Sequence, residues 1–206
     1  MLEIRNATLK VEEKTLFKEL SLLVEDGSMC CITGESGCGK TSLLRAVMGF
    51  QKLDEGFVCI DGEMLTPSSA ETFRTQMAYL PQELSLPAET VEEMVEMPFQ
   101  LKTNKDIPHT KDLLMEEWKR LELPPELYDK KTNELSGGER QRVMIAVCGL
   151  MGKRIVLADE PTSALDPHAA ALVGQYFRLM AARGASVLTV SHDGNFARMA
   201  DRTIRI

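Results

Sequence analysis

The sequence has few features of a secreted or membrane-spanning protein. Its N-terminus lacks the basic-then-apolar pattern of a signal peptide, and no apolar run approaches the roughly 20 residues that cross a bilayer. Its 5 cysteines are an odd number and include no C-x-x-C pair, which argues against a disulfide framework. We therefore expect reduced thiols and a cytosolic setting, with any membrane-spanning part supplied by a partner.

The chain also lacks internal repeats, low-complexity tracts and an excess of positive charge. Its 206 residues carry a formal net charge of -7, which disfavours extensive binding to nucleic acid. Apolar residues make up 44% and charged residues 27%, enough for a packed core in one domain or in two closely joined lobes. We therefore expect a folded globular chain.

The hydrophobic pattern changes twice along the chain. Alternating apolar and polar residues in the first two strand-like segments predict a small antiparallel sheet. Helical periodicity dominates from about residue 89 to residue 152, and short apolar strands then alternate with helices, which predicts a parallel sheet. The predicted fold class is α/β, one domain over residues 1–206, with a core lobe of residues 1–82 and 153–206 and an inserted helical lobe of residues 83–152.

A glycine-rich loop follows the apolar segment "MCCIT". Residues 34–41, "GESGCGKT", match the pattern G-x-x-x-x-G-K-[ST] and open a helical segment, which is the context that a phosphate-binding loop requires. Backbone N–H groups would cradle phosphates, Lys40 would reach the β- and γ-phosphates, and the Thr41 hydroxyl would bind Mg²⁺. The alternative is a plain strand-to-helix turn, which needs neither the lysine nor the hydroxyl. The predicted nucleotide-binding residues here are Gly34, Glu35, Ser36, Gly37, Cys38, Gly39, Lys40, Thr41 and Ser42.

Two adjacent carboxylates end a second apolar strand, in "RIVLADEP". Asp159 is expected to hold Mg²⁺ through water, and Glu160 is the natural general base for an attacking water. Two carboxylates at a buried strand end are costly without a metal or basic partner. This cost favours a functional role.

Taken together, the motifs resemble those of the ATP-binding subunit of an ABC (ATP-binding cassette) transporter, over nearly the whole chain. They are, in order, "GESGCGKT", "YLPQ" with Gln82, the signature "LSGGERQ", "VLADEP", "SALD" ending at Asp166, and "SHD" with His192. The resemblance implies a P-loop NTPase with a RecA-like parallel-sheet core, an N-terminal antiparallel β subdomain and an inserted helical subdomain. It also implies hydrolysis of ATP to drive a separate membrane permease.

The resemblance gives the signature a role in a dimer. In this family two copies pack head to tail, and the signature of one copy, here Ser136, Gly137 and Gly138, faces the γ-phosphate of the ATP bound to the other. Asp166 would cross the same dimer. Two local alternatives stay open, because Ser136 could be a plain helix N-cap and Asp166 could cap the helix that starts at Pro167.

Further roles also follow from the resemblance. The implied catalytic residues are Glu160, His192 and Gln82, and the implied Mg²⁺ ligands are Thr41, Gln82 and Asp159. His192 would contact the γ-phosphate. The other two histidines, His109 and His168, are expected to be surface residues.

The sequence departs from the family pattern at a few positions. The family usually has an aromatic residue that stacks on adenine, but the corresponding position is about Val11, and Phe17 reads as core. We expect loose binding of ATP and poor discrimination among purine nucleotides. The signature has Glu139 where glutamine is common. Modification of Cys38 is expected to block ATP binding, unless this cysteine is only a small tolerated residue.

The partners are predicted to be an integral-membrane permease and a second, identical ATPase subunit, with no nucleic acid. Met94 and Met97 would line a groove for the permease, or else belong to the core. The protein is expected to be cytoplasmic, held peripherally on the inner face of the cell membrane by its permease. The segment of residues 90–100 resembles small subunits paired with metal-resistance or iron-export permeases. The alternative is a soluble ABC ATPase that acts on nucleic acid or ribosomes.

Overall fold

The computed structural model describes residues 1–84 and 87–206. The predicted helical lobe of residues 83–152 includes residues 85–86, which lie outside the described residues. Four strands form an antiparallel sheet in the order β2-β1-β4-β5. They are β1 (Leu2–Val11), β2 (Lys14–Val24), β4 (Glu55–Ile60) and β5 (Glu63–Met64).

The second sheet is parallel throughout, with the strand order β6-β7-β8-β3-β9. Its strands are β3 (Met29–Thr33), β6 (Met77–Leu80), β7 (Ile155–Asp159), β8 (Ser186–Val190) and β9 (Arg202–Arg205). Every residue of β7 and β8 is buried, because both faces of this sheet are covered. Since parallel strands all end at the same edge, the segments that follow β3, β6, β7 and β8 meet there.

Seven α-helices and two short 3₁₀ helices, Pro125–Asp129 and Thr132–Glu134, accompany the two sheets within the described ranges. The α-helices are labelled in chain order. They are α1 (Lys40–Val47), α2 (Ala70–Arg74), α3 (Val91–Glu96), α4 (Lys111–Arg120), α5 (Gly137–Met151), α6 (Pro167–Ala182) and α7 (Gly194–Ala197). Helices α3, α4 and α5 lie between β6 and β7 in the chain, where the sequence predicts helical structure. No helix in the described part of the chain combines the length and apolarity of a membrane span.

Buried side chains form two clusters, and alternate residues of the parallel strands contribute to each. In β3, Cys31 joins a cluster that extends through α3, α4, α5 and α6, whereas Cys30 joins one shared with α1 and the antiparallel sheet. The helices between β6 and β7 therefore share one continuous core with a face of the parallel sheet.

The cysteines are free, as the sequence predicts, and Cys38 alone is half-buried rather than buried. Burial raises the pKa of the Cys30 thiol to about 11 and that of the Cys148 thiol to about 12. These thiols behave as small apolar side chains of the core.

One expectation from the sequence needs correction. His109 is half-buried rather than fully exposed, because its ring stacks on Phe99 with centroids 4.2 Å apart and its Nε2 lies 3.1 Å from Glu96 Oε2. His168 is exposed, as expected, and pairs with Glu122.

The structure decides between the two environments that the sequence left open for Met94, the core and a groove for the permease. Met94 is only 1% exposed and therefore belongs to the core rather than to an accessible groove. Met97 is half-buried and packs against the same cluster. A methionine pair at helical spacing cannot be assigned to core or groove from the sequence, because both environments favour it.

Candidate nucleotide site

The loop between β3 and α1 has the backbone of an anion cradle. Gly39, immediately before the first residue of α1, has a φ of 104°, a left-handed conformation that favours glycine. A Cβ atom on Gly39 would also lie 2.9 Å from the Leu16 Cβ atom, and one on Gly34 would lie 2.6 Å from the Ile206 carbonyl oxygen. These glycines are therefore required by backbone conformation and close packing, and the loop ends at the N-terminus of a helix, where N–H groups are free to bind anions.

The loop opens into a cavity of about 490 Å³ at the carboxyl edge of the parallel sheet. The lining residues are Leu16, Gly34, Glu35, Ser36, Gly37, Gly39, Lys40, Thr41, Ser42, Gln82, Asp159, Glu160 and His192. The structure thus brings together the segments after β3, β6, β7 and β8 that the sequence singles out. Cys38 is not among these lining residues, and its Sγ atom lies 2.7 Å from the position of a Gly34 Cβ atom.

Leu16 is the lining residue that sequence reasoning missed. It comes directly before Phe17, which is buried, so the alternation of β2 places Leu16 on the opposite face of the strand. In the sequence, the only sign of this role is that Leu16 is an apolar residue on the face of β2 opposite to Phe17. The contact of Leu16 with Gly39 could not be predicted, because it depends on the tertiary fold. Val11 lies at the exposed end of β1, and Phe17 belongs to the core, as expected. Loose binding of purine nucleotides stays a prediction.

The Lys40 ammonium is held among oxygen atoms at the mouth of the loop. Its Nζ atom donates to the carbonyl oxygens of Gly34 at 2.9 Å and Glu35 at 3.1 Å, and it lies 3.6 Å from Glu160 Oε1. The side chain is only 9% exposed, so this charge depends on its oxygen partners. The arrangement fixes a positive charge inside the cavity.

Glu160 follows β7 in a strained conformation, with a φ of 46°. Its N–H group donates to the Val190 carbonyl oxygen at 2.9 Å, which ties it to β8. Its Oε2 atom accepts hydrogen bonds from the His192 backbone N–H at 3.1 Å and pairs with His192 Nδ1 at 2.8 Å. A non-glycine residue in this region costs about 1–3 kcal/mol, and such strain concentrates at functional sites.

Asp159 has the features of a cation ligand. Its Oδ1 atom is buried and has no hydrogen-bond partner within the described residues. Burial raises the pKa of its carboxyl group, and the Glu160 charge acts in the same direction, whereas the Thr41 hydroxyl and the Lys40 ammonium oppose it. An unsatisfied buried carboxylate oxygen beside a threonine hydroxyl fits a site for Mg²⁺, which prefers oxygen ligands.

The signature residues do not line this cavity within the described chain. Ser136 is the N-cap of α5, and its Oγ atom accepts from the Glu139 N–H at 3.2 Å. Gly138 packs closely against the "SALD" segment, because a Cβ atom there would lie 3.1 Å from the Ala164 carbonyl oxygen, whereas one on Gly137 would have ordinary contacts. Asp166 is the N-cap of α6 and accepts from the Ala169 N–H at 2.9 Å.

Comparison with known proteins decides the family. The family model described as "ABC transporter" matches residues 17–163, which include the phosphate loop, the signature and the acidic strand end. The chain belongs to this ABC transporter family. Its fold is that of a P-loop NTPase, and the chemistry of the family's cassettes is ATP hydrolysis.

Several relatives and solved structures are similar to this ABC cassette. It is 33% identical to the macrolide export ATP-binding/permease protein MacB of Campylobacter jejuni, over 100% of the chain and 33% of that protein. It is 36% identical to the hemin import ATP-binding protein HmuV of Pseudomonas fluorescens, over 99% of the chain and 82% of that protein. The chain thus spans about a third of the length of the MacB proteins that it matches.

Among solved structures, the dimeric bacterial ABC transporter cassette MJ0796 superposes with a TM-score of 0.84 at 30% identity, covering 100% of this chain and 94% of that one. The same cassette is known as a dimer in a post-hydrolysis state, bound to ADP and Pi. The expected cassette fold is therefore confirmed.

Proposed function

We propose that this chain is the ATP-binding and hydrolysing subunit of an ABC transporter, that two copies close around MgATP, and that this closure drives a separate integral-membrane permease. The observation that supports the proposal is that the motifs are divided between two places in the chain. The phosphate loop, Asp159, Glu160 and His192 line one cavity, while the signature at Ser136 is not among its described lining residues. A second copy would supply the missing signature.

The proposed binding step relies on the phosphate loop. The Lys40 ammonium, now bonded to two carbonyl oxygens of its own loop, would exchange these acceptors for β- and γ-phosphate oxygens. Leu16, beside Gly39, offers an apolar surface to the rest of the nucleotide. Mg²⁺, held by Thr41, Asp159 and Gln82, would neutralise charge on the phosphates when bound.

Glu160 is the proposed general base. Its carboxylate would take a proton from the attacking water, which it can reach because it lines the cavity. The His192 imidazole is bonded to this carboxylate through Nδ1, so the same contact would orient the ring toward the γ-phosphate. Ser136, Gly137 and Gly138 of the second copy would complete the charge stabilisation. Asp166 would cross the dimer and help to position the catalytic groups.

The two-lobe division is also a proposal. The core lobe of residues 1–82 and 153–206 would hold the nucleotide, and the helical lobe of residues 83–152 would carry the signature. The permease would bind the dimer at the inner face of the cell membrane. Export of a metal ion rests only on the likeness of residues 90–100, since the relatives named above act in both directions.

A complementation experiment tests the divided site. Lys40→Ala and Ser136→Ala variants are each expected to lack ATPase activity, because each removes one half of both sites in a homodimer. Mixing the two restores one intact site per mixed dimer, so about a quarter of the parent rate is expected at equal amounts with random exchange. Absence of recovery, or full activity in a strictly monomeric chain, would contradict the proposal.

The permease is tested separately. The tagged protein, carrying Glu160→Gln to retain ATP, is purified from detergent-solubilised membranes, and co-purifying integral membrane proteins are identified by mass spectrometry. A stoichiometric permease is expected with the Glu160→Gln protein. The ATPase activity of the parent protein, which retains Glu160, should depend on that permease. Recovery with ribosomes or nucleic acid, and without a membrane protein, would favour a non-transport ATPase instead.

A further inference from the structure

The first turn of α5 already holds an anion from its own sequence. The Glu139 carboxylate bends back over the N-cap, where its Oε2 atom accepts from the Ser136 N–H at 2.8 Å and from the Ser136 hydroxyl at 2.7 Å. In return, Ser136 Oγ accepts from the Glu139 N–H at 3.2 Å. The two residues form a reciprocal capping box.

The capping box occupies the Ser136 hydroxyl, which the proposed function requires as a donor to the γ-phosphate. A serine hydroxyl has one hydrogen, and here it is donated to Glu139. In the proposed dimer the same hydroxyl donates to the γ-phosphate bound by the partner. The two acceptors are both anions, so they cannot share that hydrogen without strong repulsion.

Glu139 is a charged competitor at neutral pH. The hydrogen bonds from the Ser136 hydroxyl and the Ser136 N–H lower the pKa of its carboxyl group, and the positive charges of Lys130 and Arg142 act in the same direction. The position of the carboxylate at the N-terminus of the 15-residue helix α5 also favours the ionised form.

We propose that Glu139 is a positioning residue that competes with the γ-phosphate of the partner's ATP for Ser136, so that closure of the dimer displaces its carboxylate. This inference rests on the proposed function. In the open state, the carboxylate keeps the Ser136 hydroxyl and the first turn of α5 in place. During closure, its charge raises the ATP concentration that the dimer needs.

Helix α3 provides a matched control. It begins with the same kind of box, in which Glu93 Oε2 accepts from the Thr90 N–H at 3.3 Å and Thr90 Oγ1 accepts from the Glu93 N–H at 3.2 Å. Glutamine is a normal capping-box residue, so Glu→Gln retains either box and removes one charge. A purely structural role would make the two substitutions equivalent.

The test measures dimerisation in a Glu160→Gln background, which binds ATP without turnover. The ATP concentration for half-maximal dimer is determined by analytical ultracentrifugation at low salt. Adding Glu139→Gln is expected to lower this concentration about three- to fivefold, the size of one exposed charge pair. Adding Glu93→Gln should leave it unchanged. The Glu139→Gln shift should shrink at about 0.5 M salt, because exposed charges are then screened.

The possible outcomes separate the inference from the proposed function. An unchanged or higher ATP requirement in the Glu139→Gln variant would overturn the inference while the parent dimer stands. Equal shifts for Glu139→Gln and Glu93→Gln would also overturn it, because they would reflect net charge alone. Failure of the Glu160→Gln parent to dimerise with ATP would contradict the proposed function, and the inference would fall with it.

Discussion

At the scale of single residues, Glu160 combines a strained backbone with a side chain that is held in the cavity by its contacts with His192. Its φ of 46° is unfavourable for glutamate, and the following Pro161 restricts the backbone further. The N–H bond to Val190 and the carboxylate contacts to His192 hold this conformation. The protein therefore maintains a strained residue at the point where the proposed chemistry occurs.

Replacing Glu160 by glutamine separates binding from turnover. The side chain keeps its shape and its contacts with His192, but it loses the base. ATP binding is expected to persist, while the rate of phosphate release falls by roughly 10²–10⁴, the usual contribution of a general base. Equilibrium binding and a phosphate-release assay measure the two effects, with Glu122→Gln as an exposed control. A near-normal rate would remove Glu160 from the mechanism.

Asp159 links the site to the pH dependence of stability. Because the folded-state pKa of this carboxyl is raised, the folded protein binds more protons than the unfolded chain between the two pKa values. The contribution of Asp159 to stability therefore falls as pH rises through that interval, and the loss persists at neutral pH. The unsatisfied, charged oxygen destabilises the nucleotide-free protein.

Asp159→Asn should therefore stabilise the nucleotide-free protein at pH 7, by up to the order of 1–3 kcal/mol for an unsatisfied buried group. The gain should disappear below about pH 4, near the usual pKa of an aspartate carboxyl, because the parent aspartate is then protonated in both the folded and the unfolded states. Urea unfolding at the two pH values measures this difference. With Mg²⁺ and ATP present, the parent protein should be more stable than the Asp159→Asn variant. A variant that is less stable than the parent at pH 7 without ligand would contradict the prediction.

At the scale of elements, the two glycines of the signature have different reasons to be glycine. A Cβ atom on Gly138 would lie 3.1 Å from both the Ala164 carbonyl oxygen and the Leu165 Cδ2 atom of the same chain. A Cβ atom on Gly137 would lie 3.7 Å from the Ala164 Cβ atom, an ordinary contact. Packing within the chain therefore explains why residue 138 is glycine. It does not explain why residue 137 is glycine, which fits close approach of the phosphate bound by a second copy.

The pair Gly137→Ala and Gly138→Ala tests this difference. Gly138→Ala is expected to lower the free energy of unfolding by about 1–3 kcal/mol through overpacking. Gly137→Ala should leave that free energy unchanged or slightly higher, since alanine is the better helix former. Both should lose ATP-dependent dimerisation, because a methyl group holds the phosphate away. An active dimer of Gly137→Ala would exclude close approach of the phosphate at this position.

Local elements were predictable from the sequence because their signals are local. The strand, loop and helix around the phosphate cradle follow from an apolar run, glycines and a lysine within a few residues. The contact of Leu16 with Gly39 and the stacking of His109 on Phe99 were not predictable, since they join segments through tertiary packing. Ser136 and Asp166 could be predicted as N-caps, but the sequence left their functional roles open.

At the scale of the whole molecule, the helices between β6 and β7 are joined to the parallel sheet by apolar and polar contacts. They share one continuous hydrophobic cluster with β3, β7 and α6. Within it, the buried Glu117 of α4 accepts from the Tyr176 hydroxyl of α6 at 2.6 Å and from Arg183 at 3.0 Å. We therefore expect the proposed helical lobe to unfold together with the rest of the chain.

The single tryptophan makes this cooperativity measurable. Trp118 lies in α4 with only 1% of its surface exposed, so its fluorescence reports on the proposed helical lobe, whereas far-UV circular dichroism reports on the whole chain. Because the core is continuous, the two signals should give coincident urea transitions. Tyr176→Phe, which leaves one Glu117 oxygen without its hydroxyl partner, should lower the free energy of unfolding by about 1–3 kcal/mol and shift both transitions together. Loss of the Trp118 signal at lower urea than the circular dichroism signal would show that the helices unfold separately, and the shared core would then not couple the two proposed lobes.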